Sequence, residues 1–280
     1  MIGEVGVLAD PKVLADPRVV AEPGCHLFSG CGFPAPGPQD FQFKPLFTVG
    51  SFHFTKPMLV AVLVVATVIV FFWAAFAKPK LVPRGVQNLG EMAVLAVRDQ
   101  VMRPALGRRG DVYLPLFVSL FFYIFLMNLM ELIPLFQFPS MSRIGFVWPM
   151  VLTIYLLYLY LGFKHQGGWR YIYNMWPHDV PAPVLILLVP IELLRFFIIQ
   201  PFTLGVRLFA NMFAGHLLLA IFMVATWYLM SFTIGLLFAV GSAVMVFFVF
   251  LLELLVDLLQ AFIFTTLTAT YIASSLEAQH

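Results

Sequence analysis

The chain has 280 residues, of which 61% are hydrophobic and 11% charged, with a formal net charge of +2 and a mean hydropathy of +0.95. Soluble domains carry roughly 45–50% apolar and about 25% charged residues, so a water-soluble body of one or two domains is excluded and lipid must solvate most of the apolar surface. The near-neutral charge, with no basic face, also excludes a nucleic-acid binder.

Residues 1–57 differ from everything after them: they are rich in proline and glycine and hold no long apolar run. They read as an irregular extension without a cleavable signal, and Glu4, Asp10, Asp16 and Glu22 argue against a transit peptide. Cys25 and Cys31 lie within it. If the extension faces an oxidising compartment, the pair can close a disulfide; two free thiols are the alternative.

Met58–Ala77 is an uncharged run of 20 residues, enough to cross a hydrocarbon core about 30 Å thick. Residues 112–134 and 144–163 read as the second and third spans. Between the first two, residues 84–103 place Val86, Leu89, Ala93, Val97 and Val101 on one side of a helical wheel and Arg84, Gln87, Asn88, Glu91 and Arg98 on the other. This pattern predicts an in-plane interfacial helix, ended by Pro104.

Residues 183–273 are apolar apart from Glu192, Arg195, Arg207, Glu253 and Asp257. As helix the segment would run roughly 137 Å. It therefore holds either four short spans or two long slanted ones, 183–226 and 228–273, and hydropathy does not choose between them. Residues 274–280 form a short tail. Loop 78–111 carries seven bases, and loop 164–182 carries Lys164 and Arg170, whereas 131–143 has only Arg143. The basic loops are expected on the cytoplasmic side, with the N-terminus outside and the C-terminus inside.

Ionisable residues inside lipid cost about 2.5–3.5 kcal/mol on insertion scales and are functional candidates by default. Arg207 is a permanent cation, and no charge follows it before Glu253. It must pair with a fixed anion or meet a moving one; snorkelling to an interface is the alternative. Asn211, four residues on, shares its face. His216, nine residues on, falls on the opposite side of the helix, where an imidazole can relay protons or be a satisfied structural group. Glu253, Asp257 and Gln260 fall at i, i+4 and i+7 as one stripe, suited either to proton relay or to a hydrogen-bonded seam. Glu192 and Arg195 are spaced to pair with each other. Asn128 and Glu131 end the second span just before Pro134, where they line a polar mouth or face headgroups.

The segment Leu204-Gly-Val-Arg-Leu-Phe-Ala-Asn-Met-Phe-Ala-Gly-His216 strongly resembles the signature helix of subunit a of the F-type ATP synthase. Phe125-Leu-Met-Asn-Leu-Met-Glu-Leu-Ile-Pro134, Gln260 to Tyr271 and Pro83 to Glu91 resemble other helices of that family, in a consistent order over 58–273. The resemblance implies an all-α polytopic membrane protein with about five membrane-embedded helices, the last two long and slanted, plus one interfacial helix. It implies a non-catalytic stator subunit that forms two proton half-channels against a rotating ring of c subunits. Peripheral-stalk b subunits, the remaining ATP synthase subunits and the lipid bilayer are the other implied partners, with no metal and no cofactor. A bacterial plasma membrane is the implied location, an organellar inner or thylakoid membrane the alternative.

Carried over residue by residue, the family's essential arginine falls on Arg207, its asparagine on Asn211 and its late glutamine on Gln260. Its exchangeable acid and histidine fall on Glu253 and His216. Two positions depart from the pattern. The family's earlier glutamate lies fourteen residues before the arginine, whereas Glu192 lies fifteen before Arg207, an offset that a local bulge would cancel. Asp257 matches no required family position and is taken as an extra member of an entry pathway. Glu192, Asp257, Asn128 and Glu131 are thus candidate channel-lining residues. A stand-alone secondary transporter with Arg207 binding an anionic substrate is the alternative function, but it predicts an internal repeat, and none is found between the two halves.

Overall fold

The structure, a computed structural model, describes residues 33, 36–37, 47–49, 52–133, 140–167, 171, 181–230 and 234–276. Cys25 and Cys31 lie outside the described residues, as does Pro134.

The described residues are almost entirely helical. A short antiparallel pair, β1 (Phe47–Val49) and β2 (Phe52–Phe54), is the exception, with Thr48 opposite His53. The extension is therefore not wholly irregular: its strands read Phe-Thr-Val and Phe-His-Phe, and aromatic and β-branched residues favour a pleated ribbon. Then come α1 (Lys56–Phe76), α2 (Val86–Val97), a π-turn over Arg98–Met102, α3 (Arg103–Leu106), a 3₁₀ segment over Gly107–Tyr113 and α4 (Leu114–Leu132). A 3₁₀ turn over Ser140–Ser142 precedes α5 (Ile144–Gln166). The remainder is α6 (Ala182–Leu194), a π-turn over Arg195–Ile199, α7 (Gln200–Leu229) and α8 (Ile234–Leu276). Among the described residues, five helical stretches are long and apolar enough to cross a membrane. The last two are the long ones, and the 43 residues of α8 extend about 65 Å, twice a hydrocarbon core, so α8 must slant or protrude.

The two π-turns share a cause. Each ends two residues before a proline, Pro104 in one case and Pro201 in the other. A helical proline lacks its N–H and its ring crowds the carbonyl four residues back. Widening that turn to an i→i+5 pattern relieves the crowding without ending the helix. Pro104 accordingly does not terminate the interfacial helix, which continues to Leu106; Gly107, at φ +61°, ends it.

Gln87, Gly90, Val97 and Val101 are buried, while Val86, Leu89, Met92 and Leu95 are exposed. Small size and specific hydrogen bonds set the buried side of α2. A Cβ on Gly90 would come within 2.7 Å of Ala75, so only glycine lets α2 lie this close to α1. Gln87 accepts from the Lys80 amide at 3.1 Å and donates to the Lys80 carbonyl at 2.9 Å and the Glu91 carboxylate at 2.8 Å, pinning the α1–α2 connection.

The chain divides into two compact units, residues 1–55 with 214–253, and residues 56–213 with 254–280. The core of the second is built from Val64, Phe117, Ile124, Val151, Leu208 and Phe264. Tyr171 closes one end of it: its ring lies over Gly162, and its hydroxyl is 3.0 Å from the Ser275 hydroxyl. In the first unit Phe33 meets Tyr228 edge-on at 5.5 Å, and the Ser242 hydroxyl donates to the Phe222 carbonyl at 3.0 Å.

Candidate functional site

Along the N-terminal half of α7, Leu204, Leu208 and Met212 recur every four residues and are buried. Gly205 lies against Val147 and Val151 of α5. This inward stripe turns Arg207 and Asn211 outward, and both are exposed. Arg207 makes no ion pair among the described residues. A guanidinium cannot shed its proton and is costly against lipid tails.

Asn211 does not stand alone beside it. Its Nδ2 donates to Gln260 Oε1 of α8 at 2.9 Å, so the two helices are tied one turn from Arg207. Gln260 is buried, as are Glu253 and Asp257, and the i, i+4, i+7 stripe therefore faces inward. The threonines beyond it need no partner across the interface: Thr265 donates to the Ala261 carbonyl at 2.7 Å and Thr268 to the Phe264 carbonyl at 2.9 Å.

A second constellation lies in the unit formed with 214–253. Gly215, next to His216, sits against the Glu253 carboxylate so closely that a Cβ there would overlap Oε1. His216 is half-buried and Glu253 buried. Sequence reasoning picked out His216 and Glu253 but passed over Gly215, although a glycine inside an apolar helix is the usual signal of close interhelical approach.

Glu192 and Arg195 form the ion pair their spacing suggests, Arg195 Nε lying 2.6 Å from Glu192 Oε2. The π-turn at 195–199 falls between Glu192 and Arg207. One extra residue in such a turn offsets about 100° of helical phase, which is the bulge needed to bring a fifteen-residue separation back into step with a fourteen-residue one.

Asn128 and Glu131 are buried in protein, with 0% and 3% exposure, so they do not face headgroups. The Asn128 amide and the hydroxyl of buried Ser140 lack hydrogen-bond partners among the described residues. Buried groups of this kind are ordinarily satisfied by water. Ser140 went unnoticed in the sequence because a lone serine beside a proline reads as an ordinary turn residue.

In the π-turn after α2, in α3 and in the 3₁₀ segment before α4, charges are matched within the chain. Arg98 binds Asp111 in two-pronged fashion, at 3.0 and 3.3 Å, and Arg103 reaches Asp99 at 3.2 Å. The Arg98 guanidinium holds the Asp111 carboxyl below the usual carboxylate range.

Compared with known proteins, residues 58–273 match the family model described as ATP synthase A chain. Similar curated proteins are each named ATP synthase subunit a. The one from Streptomyces lividans is 42% identical over 260 residues, covering 91% of this chain and 92% of its own length. The one from Frankia alni is 38% identical, covering 88% and 86%, and the one from Rhodococcus erythropolis 38%, covering 88% and 91%.

Proposed function

The chain belongs to the ATP synthase A chain family, and from that premise we propose that it is the proton-translocating stator of the F-type enzyme, working against a rotating ring of c subunits. It is a multi-pass membrane protein and a subunit of a larger complex; family membership sets aside the stand-alone transporter. The observation that carries the finer reading is Arg207, a permanent cation exposed on an apolar helix and without an ion pair among the described residues. The partner that suits such a surface is one that brings a carboxyl group past it at membrane depth.

In this reading a protonated ring carboxyl is neutral and crosses lipid, whereas an ionised one does not, because an unpaired charge there costs several kcal/mol. Near Arg207 the carboxyl is driven to ionise, since an adjacent cation lowers an acid's pKa by roughly 1–3 units. The proton leaves towards the inside, the carboxylate passes the guanidinium, and it is reprotonated from the outside. The Asn211–Gln260 bond keeps α7 and α8 in register beside the passing group. His216 and Glu253, with Gly215 clearing space, serve the outside half-channel. Asn128, Glu131 and Asp257 are further candidate channel-lining positions. Arg207 also repels protons that would otherwise run directly between the half-channels. The chain itself catalyses no covalent step. The distribution of basic residues supports an N-terminus outside and a C-terminus in the cytoplasm of a bacterial plasma membrane, with peripheral-stalk b subunits as further partners.

The test is affinity purification of the tagged full chain from its native membrane in mild detergent. A small proteolipid bearing a mid-membrane carboxylate should co-migrate as a ring; a chain recovered with no such proteolipid contradicts the reading.

A further inference from the structure

Beyond Arg207, the described cations differ in what engages them. Arg98, Arg103 and Arg195 are engaged by carboxylates of the chain itself, and Lys164 lies over the Tyr160 ring. Lys78, Lys80, Arg84, Arg108 and Arg109 are exposed and make no ion pair among the described residues. Four of these occupy a particular place. Lys78 and Lys80 come just after the last turn of α1, and Arg108 and Arg109 lie in the 3₁₀ segment that leads into α4. An apolar cavity of about 390 Å³ opens between the same helices, lined by Phe72 and Phe76 of α1, Val94 of α2, and Leu114 and Val118 of α4. Phe76 precedes Lys78 by two residues, and Leu114 lies five residues after Arg109. The polar atom on its wall is already used: the Ser119 hydroxyl donates to the Leu116 carbonyl at 2.9 Å. Helix α2 turns Val86, Leu89, Met92 and Leu95 outward, and a place in the membrane interface for this helix would set the cations at headgroup depth.

The geometry points to a binding site for an anionic phospholipid, its phosphate held by Lys78, Lys80, Arg108 and Arg109 and one acyl chain lodged in the α1–α2–α4 cavity. Arginine and lysine both complement a phosphate at such a surface, and the adjoining cavity offers the acyl chain an almost wholly hydrocarbon wall. A free phosphate would satisfy the cations and leave the cavity unused, so the occupant is an amphiphile and not an inorganic ion. None of the polar positions singled out on α7 and α8 takes part, so this site stands apart from ion translocation and does not depend on it.

The experiment is native mass spectrometry of the full chain, purified in neutral detergent and titrated with dioleoylphosphatidylglycerol, dioleoylphosphatidylcholine or glycerol phosphate. One phosphatidylglycerol should be retained at least about tenfold more tightly than phosphatidylcholine, each nearby cation being worth roughly fivefold against an anionic headgroup. Glycerol phosphate should not displace it. Phosphatidylglycerol carrying a photoreactive diazirine in its acyl chain should cross-link to Phe72, Val94 or Val118. The combined variant K78Q/K80Q/R108Q/R109Q should lose the preference while still binding uncharged lipid. Equal retention of the two lipids by the wild-type chain, which needs no variant to fold, overturns the proposal. So does displacement by glycerol phosphate at the same concentration as by lipid, which would mean a headgroup-only anion site, or cross-linking that falls wholly outside the cavity.

Discussion

Arg98 and Arg207 are the same guanidinium in two different surroundings. In the interfacial segment Arg98 is partly exposed, is bound in two-pronged fashion by Asp111, and has Arg103 and Asp99 paired nearby. On α7, Arg207 is exposed among apolar neighbours, and no carboxylate of the described chain comes to meet it. Near water a pair is optional, because either partner can be hydrated and the net gain is small. In lipid there is no such substitute, and a cation left open marks the place where a partner must supply what the chain withholds. Arg98 is thus paired where pairing matters least and Arg207 unpaired where it matters most, and the comparison can be broken at several points.

The largest effect short of deleting the charge is expected from Arg207→Lys. It keeps a cation but gives up the planar fork and can lose its proton in a low dielectric; ATP-driven proton pumping in membrane vesicles should fall by about tenfold or more. Pumping close to the wild-type rate would show that charge alone suffices. Next is Gly215→Val, which forces a side chain into the Glu253 carboxylate. Overpacking of this kind costs about 1–3 kcal/mol, and the complex should show a lowered melting temperature together with impaired pumping. Asn211→Ala removes the donor to the buried Gln260 carbonyl oxygen, which should cost about 1–3 kcal/mol, read as a smaller drop in detergent stability.

The smallest effect belongs to Asp111→Asn. Its folded pKa is held below the ordinary value of 3.8 by Arg98, so the stability it contributes is complete above that value and is lost only as pH falls through the lower folded value. The variant should therefore match the wild type in melting temperature at a pH below the lowered folded value and differ slightly at neutral pH, and added salt should shrink even that difference. A variant that unfolds at neutral pH would place this pair among the chain's main supports, against the comparison.

How much of this was legible in the sequence depends on what each residue answers to. The spans were legible because apolar length has one reading in lipid, and α8's stripe because i, i+4 and i+7 share a face whatever surrounds them. The inward side of α2 was not, since Gln87 and Gly90 are chosen by hydrogen bonding and close approach, which a hydrophobic wheel does not see. The continuation through Pro104 was hidden for a related reason: proline announces a broken α-pattern but not the π-turn that repairs it. The same kind of turn at 195–199 was foreseeable only as a condition, from the fifteen residues separating Glu192 and Arg207. Burial of Asn128 and Glu131 depends on how the 140–142 turn and α4 meet, which no local pattern encodes.

The central claim is that Arg207 stands open on the chain so that a moving carboxylate can meet it and protons cannot slip past. Passive proton conductance and ATP-driven pumping, measured side by side in vesicles carrying an assembled Arg207→Ala complex, test it most directly. The account predicts that pumping is abolished while passive conductance through the membrane sector rises. Pumping near the wild-type rate, with no added leak, would contradict it.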